Sequence, residues 1–288
     1  GRGGSFPGTL GIKMDKDFIA RFKMPEHVIL VTGTNGKTTT QNLIAESLRQ
    51  EGLKVINNKR GDNLNVGIAS LLAANSDLSY HVQADVAVIE VDELTLYRQF
   101  KNLRPTALVV TNFFRDQLDR AGEMETIIRR IMEVTKDFEG DLILNANDPN
   151  VLRIGYNAAK ANVHYFSVDR NAKSVETTNE ASEGKFCPVC GKPLKYAYYQ
   201  YSHIGKFLCP HDGFGNVQSD VEVTSIDYDH GTFQAQGRQF TSFINTIYAV
   251  YNCAAVIAVM KLLGCNFDSA DTVFKTFVLK EGRNELFH

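Results

Sequence analysis

The feature that most constrains this chain is a short apolar run that leads into a glycine-rich turn and then into a helical pattern. The run His27–Thr32 is rich in β-branched residues and predicts a buried strand. GTNGKTT follows at residues 33–39, and 38–50 carries apolar residues at helical spacing. This order points backbone N–H groups and the positive end of a helix dipole at one anion. It therefore predicts a phosphate-binding loop in an α/β fold.

Residues 33–39, here called the phosphate loop, are expected to bind a nucleotide. The predicted contacts are Gly33, Thr34, Asn35, Gly36, Lys37, Thr38 and Thr39. Lys37 can bridge the β- and γ-phosphates and offset charge on a transferred phosphoryl group, and the Thr38 hydroxyl can bind Mg²⁺. The strict pattern would have glycine at position 31, where this chain has Val31. The alternative is a glycine-rich turn that binds no nucleotide.

A carboxylate is expected beside the phosphate loop. The apolar run 85–90 ends in Glu90, and Asp92 and Glu93 follow it. Ligands of parallel sheets bind beyond the carboxyl ends of the strands, and Mg²⁺ prefers oxygen ligands there. Glu90 is therefore predicted to bind Mg²⁺ and to act in catalysis. The alternative is an acid that only marks a solvent-exposed strand end, and for Asp92 and Glu93 both interpretations stay open.

Strands alternate with helices along most of the chain. Further strands are predicted at 54–56, 106–111, 141–145 and 162–168, and further helices at 68–74, 124–134, 248–263 and 268–277. This alternation predicts a mostly parallel sheet with helices on both faces. Segments 221–228 and 231–241 alternate polar and apolar residues, as an antiparallel pair does. The first eight residues are rich in glycine and proline and predict a loop.

The simplest domain organisation has one α/β domain with a small insert. An N-terminal segment covers 1–26, the ATP-binding domain covers 27–288, and the insert lies at about 186–217. Three of the five cysteines lie in one stretch of 23 residues inside this insert, a spacing typical of metal sites. This pattern favours a reducing compartment. No apolar run reaches the roughly 18 residues that a membrane-spanning helix requires.

The insert carries two similar knuckles, CPVCG at 187–191 and CPHDG at 209–213. Two C-P-x-C-G knuckles are typical of a structural zinc site with four tetrahedral ligands. The predicted ligands are Cys187, Cys190, Cys209 and Asp212. Asp212 stands where a fourth cysteine is expected, so His211 or the more distant His203 could serve instead. The alternative is a lapsed site in which the thiols only pack against one another.

Together these motifs resemble the central ATP-binding domain of the Mur ligases and folylpolyglutamate synthases. Residues 33–40 are similar to the ATP loop of that family, and Glu90 stands where the family has its Mg²⁺ glutamate. Three more segments match: Thr111-Asn112 with 116–119, Tyr251-Asn252, and the G-R-x-E stretch at 282–285. The resemblance implies ATP and Mg²⁺ as cofactors, adenine recognition by Asn252 and a nucleotide contact from Arg283. These enzymes activate a carboxylate as an acyl phosphate, which an amine then attacks.

Within this family the chain is most similar to the MurT-type subunits of the lipid II isoglutaminyl synthases. The similar features are the glycine-rich start at 1–8, the knuckle insert and FRDQLDR at 114–120. The resemblance implies amidation of the D-glutamate carboxyl of the lipid II stem peptide, with ammonia from a GatD-like glutaminase. It also implies the cytoplasm as the location, at the inner face of a bacterial plasma membrane. We expect a C-terminal ligase domain to be missing from these 288 residues.

Other functions stay open at this point. A soluble muropeptide could replace lipid II, and a Mur or folate ligase could add an amino acid instead of ammonia. A P-loop NTPase with a nucleic-acid-binding zinc ribbon is disfavoured, because the net charge is −2 and few lysines flank the knuckles. These lysines are Lys185, Lys192, Lys195 and Lys206. A non-catalytic scaffold is the last alternative.

Overall fold

The computed structural model describes residues 6–58, 63–114, 122–179 and 184–278. Its strands are β1 (His27–Thr32), β2 (Val55–Asn57), β3 (Val86–Glu90), β4 (Ala107–Val110), β5 (Asp141–Asn145), β6 (Asn162–Val168), β7 (Lys195–Tyr201), β8 (Ile204–Leu208), β9 (Val221–Asp227), β10 (Thr232–Ala235) and β11 (Arg238–Thr241). Its helices are α1 (Phe6–Met14), α2 (Lys37–Gln50), α3 (Asn65–Ala74), α4 (Glu93–Leu103), α5 (Glu123–Thr135), α6 (Pro149–Asn157), α7 (Ile247–Leu262) and α8 (Phe267–Thr276), with a 3-10 turn at Phe18–Arg21.

Nine of these strands form one sheet in the order β11-β10-β9-β6-β5-β4-β1-β3-β2. From β2 to β9 the pairing is parallel, and β10 and β11 add an antiparallel edge. The predicted mostly parallel sheet is therefore confirmed. The antiparallel pairing predicted between 221–228 and 231–241 is confirmed, but the second segment forms two strands, β10 and β11, instead of one. β9 in addition joins the parallel part through β6.

Helices cover both faces of the sheet. The sheet face that carries Ile29 and Val31 packs against α2, α7 and α8, and the face that carries Val28 and Leu30 packs against α3 to α6. Because both faces are covered, the central strands are apolar at nearly every position instead of alternating. This is why β1 could be recognised as a buried strand from six residues.

The order of the strands brings three chain segments to one edge of the sheet. In the parallel register Val31 lies opposite Glu90, and Thr32 lies opposite Val110. The phosphate loop, the residues after β3 and the residues after β4 therefore leave the sheet side by side.

The prediction of a loop over the first eight residues was wrong for residues 6–8, which begin α1. Gly8 donates its N–H to Ser70 Oγ at 3.0 Å, and a Cβ there would clash with the backbone of α3 at Val66. Glycine is thus used for a close helix–helix approach, which a sequence pattern does not distinguish from a turn. Residues 1–5 lie outside the described residues.

Helices α4 and α6 were not predicted. Each begins at an aspartate that caps its first turn: Asp92 Oδ1 accepts from the N–H of Leu94 at 3.1 Å, and Asp148 Oδ1 accepts from that of Asn150 at 2.8 Å. β7 and β8 form a separate antiparallel hairpin, and the two knuckles lie at its two ends in the sequence. The division of the chain into domains stays a prediction.

Candidate nucleotide site and metal cluster

The phosphate loop turns from β1 into α2 through two glycines in the left-handed region. The φ angles are +125° at Gly33 and +79° at Gly36. A Cβ on Gly33 would lie 2.8 Å from the carbonyl oxygen of Asn112, and one on Gly36 would lie 2.6 Å from Asn252 Oδ1. Position 31, where the strict pattern has glycine, lies inside β1 and is fully buried as Val31. No turn is made there, so the departure from the pattern does not alter the shape of the loop.

Residues 111–114, here called the strap segment, hold the phosphate loop from the side of β4. Thr34 donates its N–H to the carbonyl oxygen of Asn112 at 2.8 Å, and Asn35 donates its N–H to Asn112 Oδ1 at 2.9 Å. Thr111 Oγ1 donates to the carbonyl oxygen of Asn35 at 2.8 Å. Phe114 donates its N–H to Thr34 Oγ1 at 2.9 Å. The Thr-Asn pair thus fixes the backbone of the loop before any ligand binds.

Lys37 begins α2 and points back over the loop. Its ammonium donates to the carbonyl oxygens of Gly33 and Thr34, the latter at 3.1 Å, and lies 3.3 Å from Glu93 Oε1. The Lys37 and Glu93 side chains are only 14% and 13% exposed. Burial raises the pKa of the Glu93 carboxyl, although the nearby Lys37 charge opposes that effect. The predicted nucleotide lysine therefore has a largely buried acidic partner.

Glu90 is fully buried at the end of β3, so the alternative of a solvent-exposed strand-end acid is wrong. Asn58 fixes its backbone through two hydrogen bonds of 2.8 and 2.9 Å, and Asn63 Nδ2 donates to Glu90 Oε1 at 3.0 Å. Glu90 Oε2 is buried and has no hydrogen-bond partner among the described residues. A buried carboxylate oxygen without a donor costs free energy, which a bound cation would offset. The residues present thus fit a divalent cation at the sheet edge where β3 and β1, which leads into the phosphate loop, end side by side.

Asp92 and Glu93, whose roles the sequence left open, make different contacts in the structure. The carboxylate of Asp92 caps α4, while that of Glu93 pairs with Lys37. Asn58 and Asn63, which orient Glu90, were missed, because an asparagine in a loop carries no signal of its distant partner. The contact between Lys37 and Glu93 spans 56 residues and was missed for the same reason.

Asn252 lies in the first half of α7 against the start of α2. Its Oδ1 accepts from Thr40 Oγ1 at 3.2 Å and lies beside Gly36. The neighbouring Tyr251 hydroxyl donates to Asn147 Oδ1 at 2.9 Å, which holds this part of α7 to the residues after β5. Asn252 therefore joins the edge of the phosphate loop. Arg283 and the stretch 116–119 lie outside the described residues.

The four predicted zinc ligands come together in the second candidate site. The ligand atoms of Cys187, Cys190, Cys209 and Asp212 all lie within 4.8 Å of one another, and we call these residues the metal cluster. Cys190 Sγ lies 3.5 Å from Cys209 Sγ, and Cys187 Sγ lies 3.3 Å from Asp212 Oδ2. Four ligands around a tetrahedral zinc, with Zn–S near 2.3 Å, have sulfurs about 3.8 Å apart. The spacing of the four ligand atoms therefore allows one metal ion to contact all of them.

The two knuckles have the same backbone geometry although one ends in aspartate. Gly191 donates its N–H to the carbonyl of Cys187 at 2.9 Å, and Gly213 donates to that of Cys209 at 3.0 Å. Both glycines are left-handed, with φ of +72° and +77°. Asp212 therefore occupies the place that Cys190 has in the first knuckle.

Neither histidine considered as the fourth ligand joins the metal cluster of the described chain. His203 is fully buried, and its Nε2 lies 3.4 Å from Asp148 Oδ1. His211 is exposed next to Asp212. Of the three alternatives, the structure brings Asp212 to the three thiols.

The pKa values of Asp212 and Cys190 in the cluster are shifted in opposite directions. The N–H of Phe214 and the neighbouring thiols lower the pKa of the Asp212 carboxyl well below its usual range. The N–H of Lys192 lowers the pKa of Cys190, but the Asp212 carboxylate, burial and the other thiols outweigh it and raise that pKa to about 12. Without a metal ion the aspartate is thus charged and accepts hydrogen bonds from protonated thiols.

Comparison with known proteins gives the family. Residues 31–209, more than half of the chain, match the model of the Mur ligase middle domain. The chain is 32% identical to the lipid II isoglutaminyl synthase (glutamine-hydrolyzing) subunit MurT of Staphylococcus aureus (strain COL), over 99% of the chain and 64% of that protein. It is 31% identical to the same subunit of Streptococcus pneumoniae, over 100% of the chain and again 64% of the relative. The chain therefore spans less than two thirds of the length of these relatives.

Solved structures agree with this result. A pseudomurein peptide ligase type C from Methanothermus fervidus superposes with a TM-score of 0.73 and 25% identity, covering 94% of this chain and 53% of that one. MurF from Acinetobacter baumannii superposes with a TM-score of 0.62 and 18% identity, covering 96% and 50%, which supports the fold. Among the helices that the structure describes, none has the length and apolar character needed to cross a membrane. The match over residues 31–209, which contain both the phosphate loop and the three clustered cysteines, shows that the chain belongs to the Mur ligase family.

Proposed function

We propose that this chain is the ATP-binding part of an amidoligase subunit that acts on the lipid II stem peptide. The D-glutamate carboxylate would attack the γ-phosphorus of ATP and release ADP, and ammonia would then attack the acyl carbon and release phosphate. The observation that carries the proposal is the placement of Lys37 and the buried Glu90, with its unpartnered Oε2, at the same sheet edge. Similarity to MurT subunits over 99% of the chain supports the reaction class.

The residues of the site would divide the work as follows. Backbone N–H groups of the phosphate loop other than those of Thr34 and Asn35, which donate to Asn112, would bind the phosphates. The Lys37 ammonium would offset negative charge on the transferred group. Thr38, in the first turn of α2, and Glu90 would hold Mg²⁺, which supplies further positive charge to the phosphates. Asn252 would contact adenine, and Arg283 would contact the nucleotide; both roles are carried over from the family resemblance.

The partner and substrate are proposed from the same relatives. A GatD-like glutaminase would supply ammonia in a heterodimer, and the reaction would take place in the cytoplasm, at the inner face of a bacterial plasma membrane. A soluble muropeptide is the alternative substrate. The relatives named above are described as glutamine-hydrolysing, which supports a glutaminase partner over free ammonia.

The test is Lys37→Ala in the full-length protein co-expressed with the glutaminase. We expect amidation of a stem peptide, followed by mass spectrometry, to fall at least about 10²-fold, as when a transition-state charge partner is removed. Lys101→Ala on the exposed face of α4 is the control and should leave amidation unchanged. Full amidation by Lys37→Ala would overturn the proposal.

A ligase that adds an amino acid is the second candidate. It is favoured by the superposition on a pseudomurein peptide ligase. Measurement of ADP release with an amino acid and no glutaminase distinguishes the two, because the amidoligase requires ammonia or glutamine.

We also propose that the metal cluster binds one structural Zn²⁺ through Cys187, Cys190, Cys209 and Asp212. The donor set of three thiolates and one carboxylate suits zinc, and a complete set of four protein ligands is typical of a structural site. Metal analysis of the purified protein should give one zinc per chain, and the Cys209→Ser variant should lose it. If the wild-type protein is purified without metal and does not bind added zinc, the alternative of a lapsed site, in which the thiols only pack against one another, is favoured.

A further inference from the structure

Glu93 contacts the phosphate loop but has no role in the proposed reaction so far. It is the first residue of α4, directly after the Asp92 cap, and its Oε1 lies 3.3 Å from Lys37 Nζ. The side chain is only 13% exposed. Its carboxylate therefore lies beside the group that is expected to bind the terminal phosphates.

The ammonium of Lys37 has three N–H donors, and within the described part of the chain three acceptors surround it. Two are the carbonyl oxygens of Gly33 and Thr34, and the third is Glu93. The two carbonyls belong to a loop that the strap segment holds in place. Glu93 is the one acidic acceptor of the three, and a side chain can move aside more easily than a backbone held at both ends.

The local charge also depends on Glu93. Among the described residues, Glu90 and Glu93 bring two carboxylates to the edge where Lys37 supplies one cation. A polyphosphate that enters without a divalent cation would meet this excess of negative charge at low solvent exposure, where charges interact more strongly than in water. A nucleotide that carries Mg²⁺ would meet a smaller repulsion.

We propose that Glu93 is a positioning residue that holds the Lys37 ammonium in the nucleotide-free site and gives it up to the terminal phosphates of the nucleotide. By this competition Glu93 makes nucleotide binding depend on the divalent cation. The inference rests on the proposed function as an ATP-dependent ligase subunit. It adds to that function a residue that discriminates Mg-ATP from free ATP.

A purely structural ion pair would behave differently. Such a pair would position α4, whose first turn is already capped by Asp92, and its loss would lower stability without altering the cation dependence of binding. The discriminating quantity is therefore the affinity for ATP measured with and without Mg²⁺.

The experiment compares full-length wild type with Glu93→Gln and Glu93→Asp by calorimetric titration of ATP, once in EDTA and once in saturating Mg²⁺. Glu93→Gln keeps the shape and removes the charge, so it should bind ATP in EDTA about tenfold more tightly than wild type, a Coulombic effect reduced by partial exposure. Its affinity for Mg-ATP should change less than threefold. Glu93→Asp keeps the charge and should retain the cation dependence.

Glu46→Gln is the matched control, because Glu46 lies on α2 and pairs with Arg49 away from the loop. It should leave both affinities unchanged. If wild type binds Mg-ATP but Glu93→Gln is no tighter than wild type in EDTA, this inference is wrong while the proposed function stands. If wild type binds ATP under neither condition, both fail. A Glu93→Asp variant that has lost the cation dependence would also count against the inference.

Discussion

Replacement of Glu90 by glutamine offers a test in which one substitution is expected to act in opposite directions with and without metal. Glu90 is fully buried, and its Oε2 has no donor among the described residues. Without a cation the carboxylate therefore destabilises the fold, whereas with Mg-ATP it is expected to bind the ion. Glu90→Gln should raise the stability of the metal-free protein and lower that of the nucleotide complex.

The magnitude follows from the cost of a buried polar atom without a partner, which is about 1–3 kcal/mol and larger for a charged group. The amide nitrogen that replaces Oε2 also lacks an acceptor, so only part of this cost is recovered. We expect the metal-free variant to be more stable by about 1 kcal/mol, which for a domain of this size corresponds to a rise in Tm of about 2–4 °C.

Binding of Mg-ATP should stabilise the wild type more than the Glu90→Gln variant. At a ligand concentration of about 100 Kd, binding to the folded state alone adds about 2.7 kcal/mol of stability. Part of this stabilisation depends on Mg²⁺. If Glu90 binds the cation, the Glu90→Gln variant should lose most of that part. The order of the two melting temperatures should therefore reverse between EDTA and Mg-ATP.

Thermal unfolding of full-length wild type and Glu90→Gln in EDTA, in ATP with EDTA and in Mg-ATP measures these values. Glu46→Gln, a partly exposed acid on α2, serves as the control and should shift Tm little in all three conditions. If Glu90→Gln melts below wild type in EDTA, the fold itself stabilises the carboxylate, and the reasoning from its unpartnered oxygen is refuted.

Further predictions concern the loop glycines and the metal cluster. Gly36→Ala and Gly52→Ala should both strain the backbone by about 1–2 kcal/mol, because the φ angles are +79° and +84°. A Cβ at position 36 would lie 2.6 Å from Asn252 Oδ1, whereas one at position 52 would have no atom within 4 Å. Urea unfolding should show the larger loss for Gly36→Ala, and only this variant should weaken ATP binding; equal losses would contradict the packing argument. Asp212→Cys should raise zinc affinity at least about tenfold in a chelator competition, since thiolate is the softer ligand, and an unchanged affinity would mean that Asp212 does not bind the metal. Zinc affinity should fall at least about tenfold per pH unit from pH 8 to pH 6, because the thiol proton of Cys190, whose pKa is raised to about 12, must leave when the metal binds. A flat pH profile would argue against thiolate ligands.

Much of the fold could be predicted because its signals are local. A strand buried on both faces must be apolar at nearly every position, which identified β1 and β5 with the bounds that the structure has. The knuckles were recognisable for the same reason, since the positive φ at Gly191 and Gly213 is needed within each five-residue turn. Helices α4 and α6 were missed, because their start signals, Asp92 and Asp148, can equally belong to loops.

The sequence by itself indicated a strand–loop–helix segment of the phosphate-binding type, an acid at the end of a later buried strand, and a group of candidate metal ligands in an insert. Only the tertiary structure decided what these groups contact. It buried Glu90 with one oxygen unpartnered, paired Lys37 with Glu93 across 56 residues, and selected Asp212 over His203 and His211. The physical reason is that these contacts depend on strand order and on the packing of side chains from distant segments. No pattern of neighbouring residues contains that information.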